Sequence, residues 1–93
     1  MRHFRPDDRL SRAQGMLSTE LDQETVLMSI DAGAYYGIAG TARSIWEKLE
    51  KPLTFSALVD DLVTEYEITP EACAADLQGF LAAMEREGLL HVE

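Results

Sequence analysis

The sequence predicts an α+β domain, an N-terminal three-stranded antiparallel sheet followed by three helices. Two observations carry this. The hydrophobic pattern alternates with a period of two through the first third, then switches once to the helical period and keeps it. Two of the three helical stretches also open on a threonine placed as a cap, Thr54 and Thr69.

The elements follow in order. A first strand is expected over about Gln14 to Leu21. A second covers Thr25 to Asp31, where Val26, Met28 and Ile30 alternate with Leu27, Ser29 and Asp31. Asp31-Ala32-Gly33 is a short reversal, with Gly33 free to take the left-handed conformation of a tight hairpin. The strand Ala34 to Ile38 then sends Ala34, Tyr36 and Ile38 to one face and Tyr35 and Gly37 to the other. Tyrosines favour strands, and Gly37 leaves room for a neighbouring backbone. This strand is expected at the edge of the small sheet. An unpaired edge there is either a liability or a docking site.

The first helix should start near Gly40 or Thr41 and stop before Pro52, with Ala42, Ile45, Trp46 and Leu49 on one face. Trp46 is assigned to the core on that spacing. The second, capped by Thr54, gathers Phe55, Leu58, Val59, Leu62 and Tyr66. Thr69, then Pro70 at the first helical position, then Glu71 at the positive end of the dipole mark the third. It should run to about Glu87 and end at Gly88, leaving Leu89 to Val92 as an apolar tail over the core.

Ninety-three residues with 46% hydrophobic content suffice for one folded domain and not for two cores. The domain is placed at residues 10–93, behind a flexible N-terminus of residues 1–9. No apolar run is long enough to span a bilayer, and MRHFRPDDRL lacks the apolar region of a secretion signal. A cytoplasmic protein without membrane association is expected. The single cysteine, Cys73, excludes an internal disulfide and reads as a small packing residue.

The net charge of −9 is uneven: residues 1–15 balance at +2, which leaves −11 on the rest. A small sheet followed by three helices has a winged helix-turn-helix-like arrangement, so DNA binding has to be tested. The third helix offers Glu71, Asp76, Gln78, Glu85, Arg86 and Glu87 as its polar set. One arginine among four acids cannot make the phosphate and guanine contacts of readout, and nucleic acid is excluded as a partner. Catalysis has no support either. His3 and His91 sit at opposite ends, and no nucleophile motif, metal-ligand spacing or glycine-rich phosphate loop is present. No enzyme activity, metal or cofactor is expected.

The segment GAYYGIAGTARSIWEKL resembles the GxYYGLNxTGxxIWxLL signature of the PqqD-like family. Thr54 with Leu58, the stretch EYEITPEACAADLQGFL and EREGLL follow that family's later pattern of Thr-x-x-x-Leu, an acidic Tyr, Asp-x-x-x-Phe-Leu and Gly-Leu-Leu. The resemblance covers about residues 10 to 92. It is most like the stand-alone leader-binding subunits of lasso-peptide pathways. Two positions depart: Ala39 stands where the family has Asn, and Ala42 where it has Gly. Loss of the Asn cap is expected to cost on the order of 1 kcal/mol, unless Gly40 or Thr41 takes over.

The resemblance implies a precursor-peptide recognition element, which binds the leader segment of a ribosomally made peptide. The leader would add as a strand along Ala34, Tyr35, Tyr36, Gly37 and Ile38, with side-chain pockets between that strand and the third helix. If Asp76 faces the groove, helical spacing brings Phe80, Ala83 and Met84 along the same wall and turns Leu77 and Leu81 to the core. One of Tyr35 and Tyr36 would be core and the other contact. The expected partners are the precursor leader and a leader peptidase or other modifying enzyme of the same pathway. The alternative is a protein–protein adaptor of the same type that binds no leader.

Overall fold

The computed structural model describes residues 3–22, 24–30 and 33–93 of the chain. In chain order the elements are β1 (Arg9–Arg12), β2 (Met16–Leu21), β3 (Glu24–Ser29), β4 (Ala34–Ile38), α1 (Gly40–Lys48), β5 (Leu53–Thr54), α2 (Phe55–Tyr66), α3 (Pro70–Arg86) and β6 (Leu90–Val92). The strands form two three-stranded antiparallel sheets, ordered β2-β3-β4 and β5-β1-β6. The α+β class and the N-terminal three-stranded sheet are as the sequence predicts. The likeness to a winged helix-turn-helix is loose, because a second sheet ties the two ends of the chain together.

The expected sheet is β2-β3-β4, a meander in continuous register from Met16↔Ser29 to Leu21↔Glu24 and from Thr25↔Ile38 to Ser29↔Ala34. β3 ends at Ser29, short of the Asp31 expected, and Asp31 and Ala32 lie outside the described residues. Gly33 takes the positive φ of +64° that the reversal needs. The inner face, with buried Thr25 and Leu27 and half-buried Tyr36 and Ile38, turns to the helices.

The second sheet was not read from sequence. Leu10 of β1 pairs with Leu53 on one side and Val92 on the other, and is fully buried. The apolar tail is thus partly a strand, β6, whose Leu90 lies opposite Arg12. Arg12 also braces α1: its Nε and Nη2 donate to the Trp46 carbonyl at 2.9 and 2.8 Å, and its guanidinium carbon stands 4.6 Å from the indole centroid. Trp46 is in the core, as its spacing predicts.

The core extends ahead of residue 10, where the sequence reading starts the domain. Phe4 is 1% exposed and stacks on Phe55 with ring centroids 6.3 Å apart. Gln78 of α3 holds its backbone from both sides, accepting from the Phe4 N–H and donating to its carbonyl, each at 2.7 Å.

Helix starts follow the threonines. Thr54 Oγ1 accepts from Ala57 N–H at 3.1 Å, and Thr69 Oγ1 from Ala72 N–H at 3.2 Å, with Pro70 opening α3. For α1 neither Gly40 nor Thr41 takes over the cap: Ala39 is the N-cap residue, and no side chain caps the helix there. A methyl group cannot accept the hydrogen bond that Asn would take.

Candidate functional site

Among the described residues β4 is the last strand of its sheet, with no strand beyond it. Which of its backbone groups remain open follows from the ladder. Ile30 N–H donates to the Gly15 carbonyl at 3.2 Å, continuing the β2–β3 register. In an antiparallel ladder bonded and non-bonded pairs alternate. Glu24, Val26 and Met28 therefore bond toward β2, and Thr25, Leu27 and Ser29 toward β4. Their partners Ile38, Tyr36 and Ala34 are used in that ladder. The N–H and C=O groups of Tyr35 and Gly37 point to the open edge.

Side chains alternate with the backbone. Tyr35 is 70% exposed on the outer face, whereas Tyr36 packs against the core from the inner face. That resolves the pair: Tyr36 faces α3, and its hydroxyl reaches Glu87 Oε2 at 3.4 Å across the gap. A Cβ on Gly37 would lie 3.2 Å from Glu24 Oε1, the far end of a flexible exposed side chain.

Between β4 and α3 lies an apolar groove in two compartments. The one next to β4, about 290 Å³, is lined by Leu27, Tyr36, Gly37, Ile38, Ala42, Phe80, Ala83, Met84, Glu87 and Leu89. The second, about 410 Å³, lies between α1 and the α2–α3 corner and includes Ile45, Leu62, Tyr66, Ile68, Cys73, Asp76 and Phe80. Ala42 and Phe80 line both, so the compartments meet at these two residues.

Six of the nine residues singled out from the sequence, Tyr36, Gly37, Ile38, Phe80, Ala83 and Met84, come together around the first compartment. Asp76 stands apart from them, exposed on the rim of the second. Ala34 and Tyr35 line neither compartment and belong to the strand itself. Leu81 turns to the core as its spacing predicts, while Leu77 is buried and also forms floor in the second compartment. Sequence reasoning missed Ala42, Tyr66, Ile68 and Glu87. Glu87 could have been found, since it continues the Phe80–Ala83 face by one further helical step. Ile68 sits in the α2–α3 connection, where no periodicity marks it.

One ionisable group in the groove bears on its chemistry. Burial pushes the Cys73 thiol up, and Asp76 adds to this; Sγ lies 4.0 Å from the Val59 carbonyl. Such a thiol is a packing group and a poor nucleophile. Among the described residues, no group of three or more His, Cys, Asp and Glu could hold a metal ion, and no helix is long and apolar enough to cross a membrane.

The fold and the site together define a small α+β domain in which an open-edged strand faces a helix across an apolar groove. Residues 24–90 match the family described as Coenzyme PQQ synthesis protein D (PqqD). With most of its length matched, the chain belongs to the PqqD family. It is similar to the solved structure "TbiB1 in Complex with the TbiA(beta) Leader Peptide", with a TM-score of 0.76 and 29% identity over 85% of this chain and 93% of that one. A second structure, "Lasso peptide synthetase B1 complexed with the leader peptide", shares the fold at a TM-score of 0.76 and 18% identity, covering 88% and 96%. None of the curated proteins matches the chain.

Proposed function

We propose that this protein binds the leader segment of a ribosomally made precursor peptide, without catalysis, and delivers it to a processing enzyme. The observation that carries the reading is the open edge of β4 set directly against an apolar groove. The relative at 29% identity, solved with a leader peptide bound, supports the same role here. The leader adds as a fourth strand beside β4, bonding to the backbone of Tyr35 and Gly37. Its inward side chains enter the groove against Tyr36, Ile38, Phe80, Ala83 and Met84.

The magnitudes assign different tasks to strand and groove. Four backbone bonds at roughly 1 kcal/mol net each fix register and are nearly blind to sequence. A buried apolar leader side chain adds about 1.5–3 kcal/mol and discriminates. Asp76 and Glu87 on the rim favour a basic or hydroxyl-bearing leader residue beside the apolar anchors. Holding the leader raises the effective concentration of the attached core peptide at the enzyme, a leader peptidase of lasso-peptide type or another modifying enzyme of the same pathway.

The test is calorimetric titration with the leader of a candidate precursor peptide, alongside a scrambled leader of the same composition. Saturable binding of the native leader alone supports the reading. Equal binding of both, or of neither up to high micromolar leader, overturns it.

A further inference from the structure

The sheet that carries β4 has a second open edge. β2 ends it on the far side, and five of the six β2 residues, Leu17 through Leu21, are exposed. By the same ladder alternation, Leu17, Thr19 and Leu21 bond to β3, so the backbone groups of Met16, Ser18 and Glu20 face outward. Natural edges are commonly blunted by lysine, proline or a bulge. β2 reads MLSTEL in unbroken register and has none of these. Its only charge, Glu20, turns inward, paired with Arg43 of α1 and accepting from Thr25 Oγ1 at 3.1 Å.

The outer face beside this edge is largely apolar, although the exposed Glu24 also stands on it, opposite Leu21. Leu17 (54% exposed), Leu21 (60%), Ile30 (61%) and Tyr35 (70%) all stand on it. The other large apolar side chains exposed among the described residues, Tyr66 and Ile68, belong to the groove.

We infer that the protein pairs with a second copy of itself through β2, forming a continuous six-stranded antiparallel sheet with both β4 edges free. A two-fold axis perpendicular to the sheet joins two β2 edges and keeps the outer faces on one side, so only like-facing residues can stand opposite each other. One register fits charge and apolar pattern together. It sets Leu17 against Leu21 of the second copy, Ser18 against Glu20, and Thr19 against Thr19. The outward backbone groups of Ser18 and Glu20 then bond to each other, and the two leucine pairs join the apolar faces. Sliding one step brings Glu20 against Glu20, a like-charge pair. Sliding the other way sets Leu17 against Thr19 and leaves Leu21 unopposed. The net charge of −9 on each copy opposes association, so pairing strengthens as salt screens it. The inference stands apart from what the β4 groove binds.

Sedimentation velocity from micromolar to submillimolar protein tests it. The expected result is a reversible rise toward the dimer that grows with added salt. Thr19 is exposed and sits on the two-fold, so Thr19→Lys or Thr19→Glu alone lowers association about tenfold or more by opposing like charges. An equimolar mixture of the two variants restores it, which is specific to this register. Thr19→Cys cross-links under mild oxidation, because a non-bonded pair brings its side chains closest; the buried Cys73 does not compete. A monomer at every concentration overturns the inference. So does a dimer indifferent to Thr19→Lys, or a charge-swapped mixture no better than either variant alone.

Discussion

Tyr35→Pro separates the open edge from the fold. Tyr35 directs its N–H away from β3, whereas Ala34, Tyr36 and Ile38 carry the β3–β4 ladder. Proline at 35 therefore removes one edge donor, worth about 1 kcal/mol net. Its ring carbon also occupies the place of the hydrogen, pushing an incoming strand away and lengthening the bonds beside it. Together these cost about 2–3 kcal/mol of binding, roughly a 30- to 150-fold rise in Kd. Stability should change little, because no ladder bond is lost and the side chain is 70% exposed; we expect a shift within about 1 kcal/mol. Tyr35→Ala keeps the backbone donor and is the control, with affinity within about threefold of wild type. Tyr36→Pro would be a poor substitute, since it breaks the pair with Leu27 and pulls a ring from the core. The assay is leader calorimetry on each variant, with urea denaturation to verify folding. A folded Tyr35→Pro variant that binds like wild type would refute strand addition at β4, as would Tyr35→Ala weakening binding as much as the proline.

The groove, the N-terminus and one ion pair give three further tests. Ala83→Leu projects into the compartment of about 290 Å³ beside Tyr36 and should raise the leader Kd about tenfold while the urea midpoint stays within experimental error. Phe4→Ala removes a fully buried ring stacked on Phe55 and should destabilise by about 3 kcal/mol in chemical denaturation; a change below about 1 kcal/mol would place Phe4 outside the core. Lys48 Nζ meets Glu65 Oε2 at 2.7 Å, joining α1 to α2; the bond raises the Lys48 pKa and lowers that of Glu65. The Glu65 contribution is present above the ordinary carboxylate range and lost as pH falls through its lowered value. That of Lys48 is present below the ordinary lysine range and lost as pH rises through its raised value. The Tm gap between wild type and Lys48→Met should therefore be small, widest near neutrality and closed in acid, because the pair is partly exposed. A gap that persists in acid would assign it to packing of the Lys48 stem.

Long patterned elements were legible in the sequence, and short or distant ones were not. β3 and β4 alternate over five or six residues, and Thr54 and Thr69 mark helix starts by chemistry that needs no tertiary context. The sheet β5-β1-β6 is made of strands of two, four and three residues, too short for a period of two to register. Its pairings also join residues far apart in sequence, as does Gln78 clasping Phe4, and a local pattern cannot encode such partners. For the site, helical spacing placed Phe80, Ala83 and Met84 on one wall. It could not place the Tyr66–Ile68 corner, which reaches the groove only through the angle between α2 and α3.

In the proposed binding mode, the division between strand and groove decides where selectivity resides. Two residues of β4, Tyr35 and Gly37, offer backbone to the edge, and about 4 kcal/mol from four bonds is largely cancelled by ordering a flexible peptide. Net affinity must then come from side chains in the groove, and its lining depends on how α3 is rotated about its own axis. The buried stripe Cys73, Leu77, Leu81 and Met84 sets that rotation against α2 and the core. One residue of helical phase is about 100°, enough to carry Phe80 and Ala83 off the groove wall altogether. The Thr69 cap and Pro70 fix where the helix begins and so which residues fall on each face. The same contacts that stabilise α3 thus define the chemistry of the groove. Substitutions that loosen the stripe should therefore weaken leader binding and erode discrimination between leaders together, because the β4 edge alone yields little net affinity.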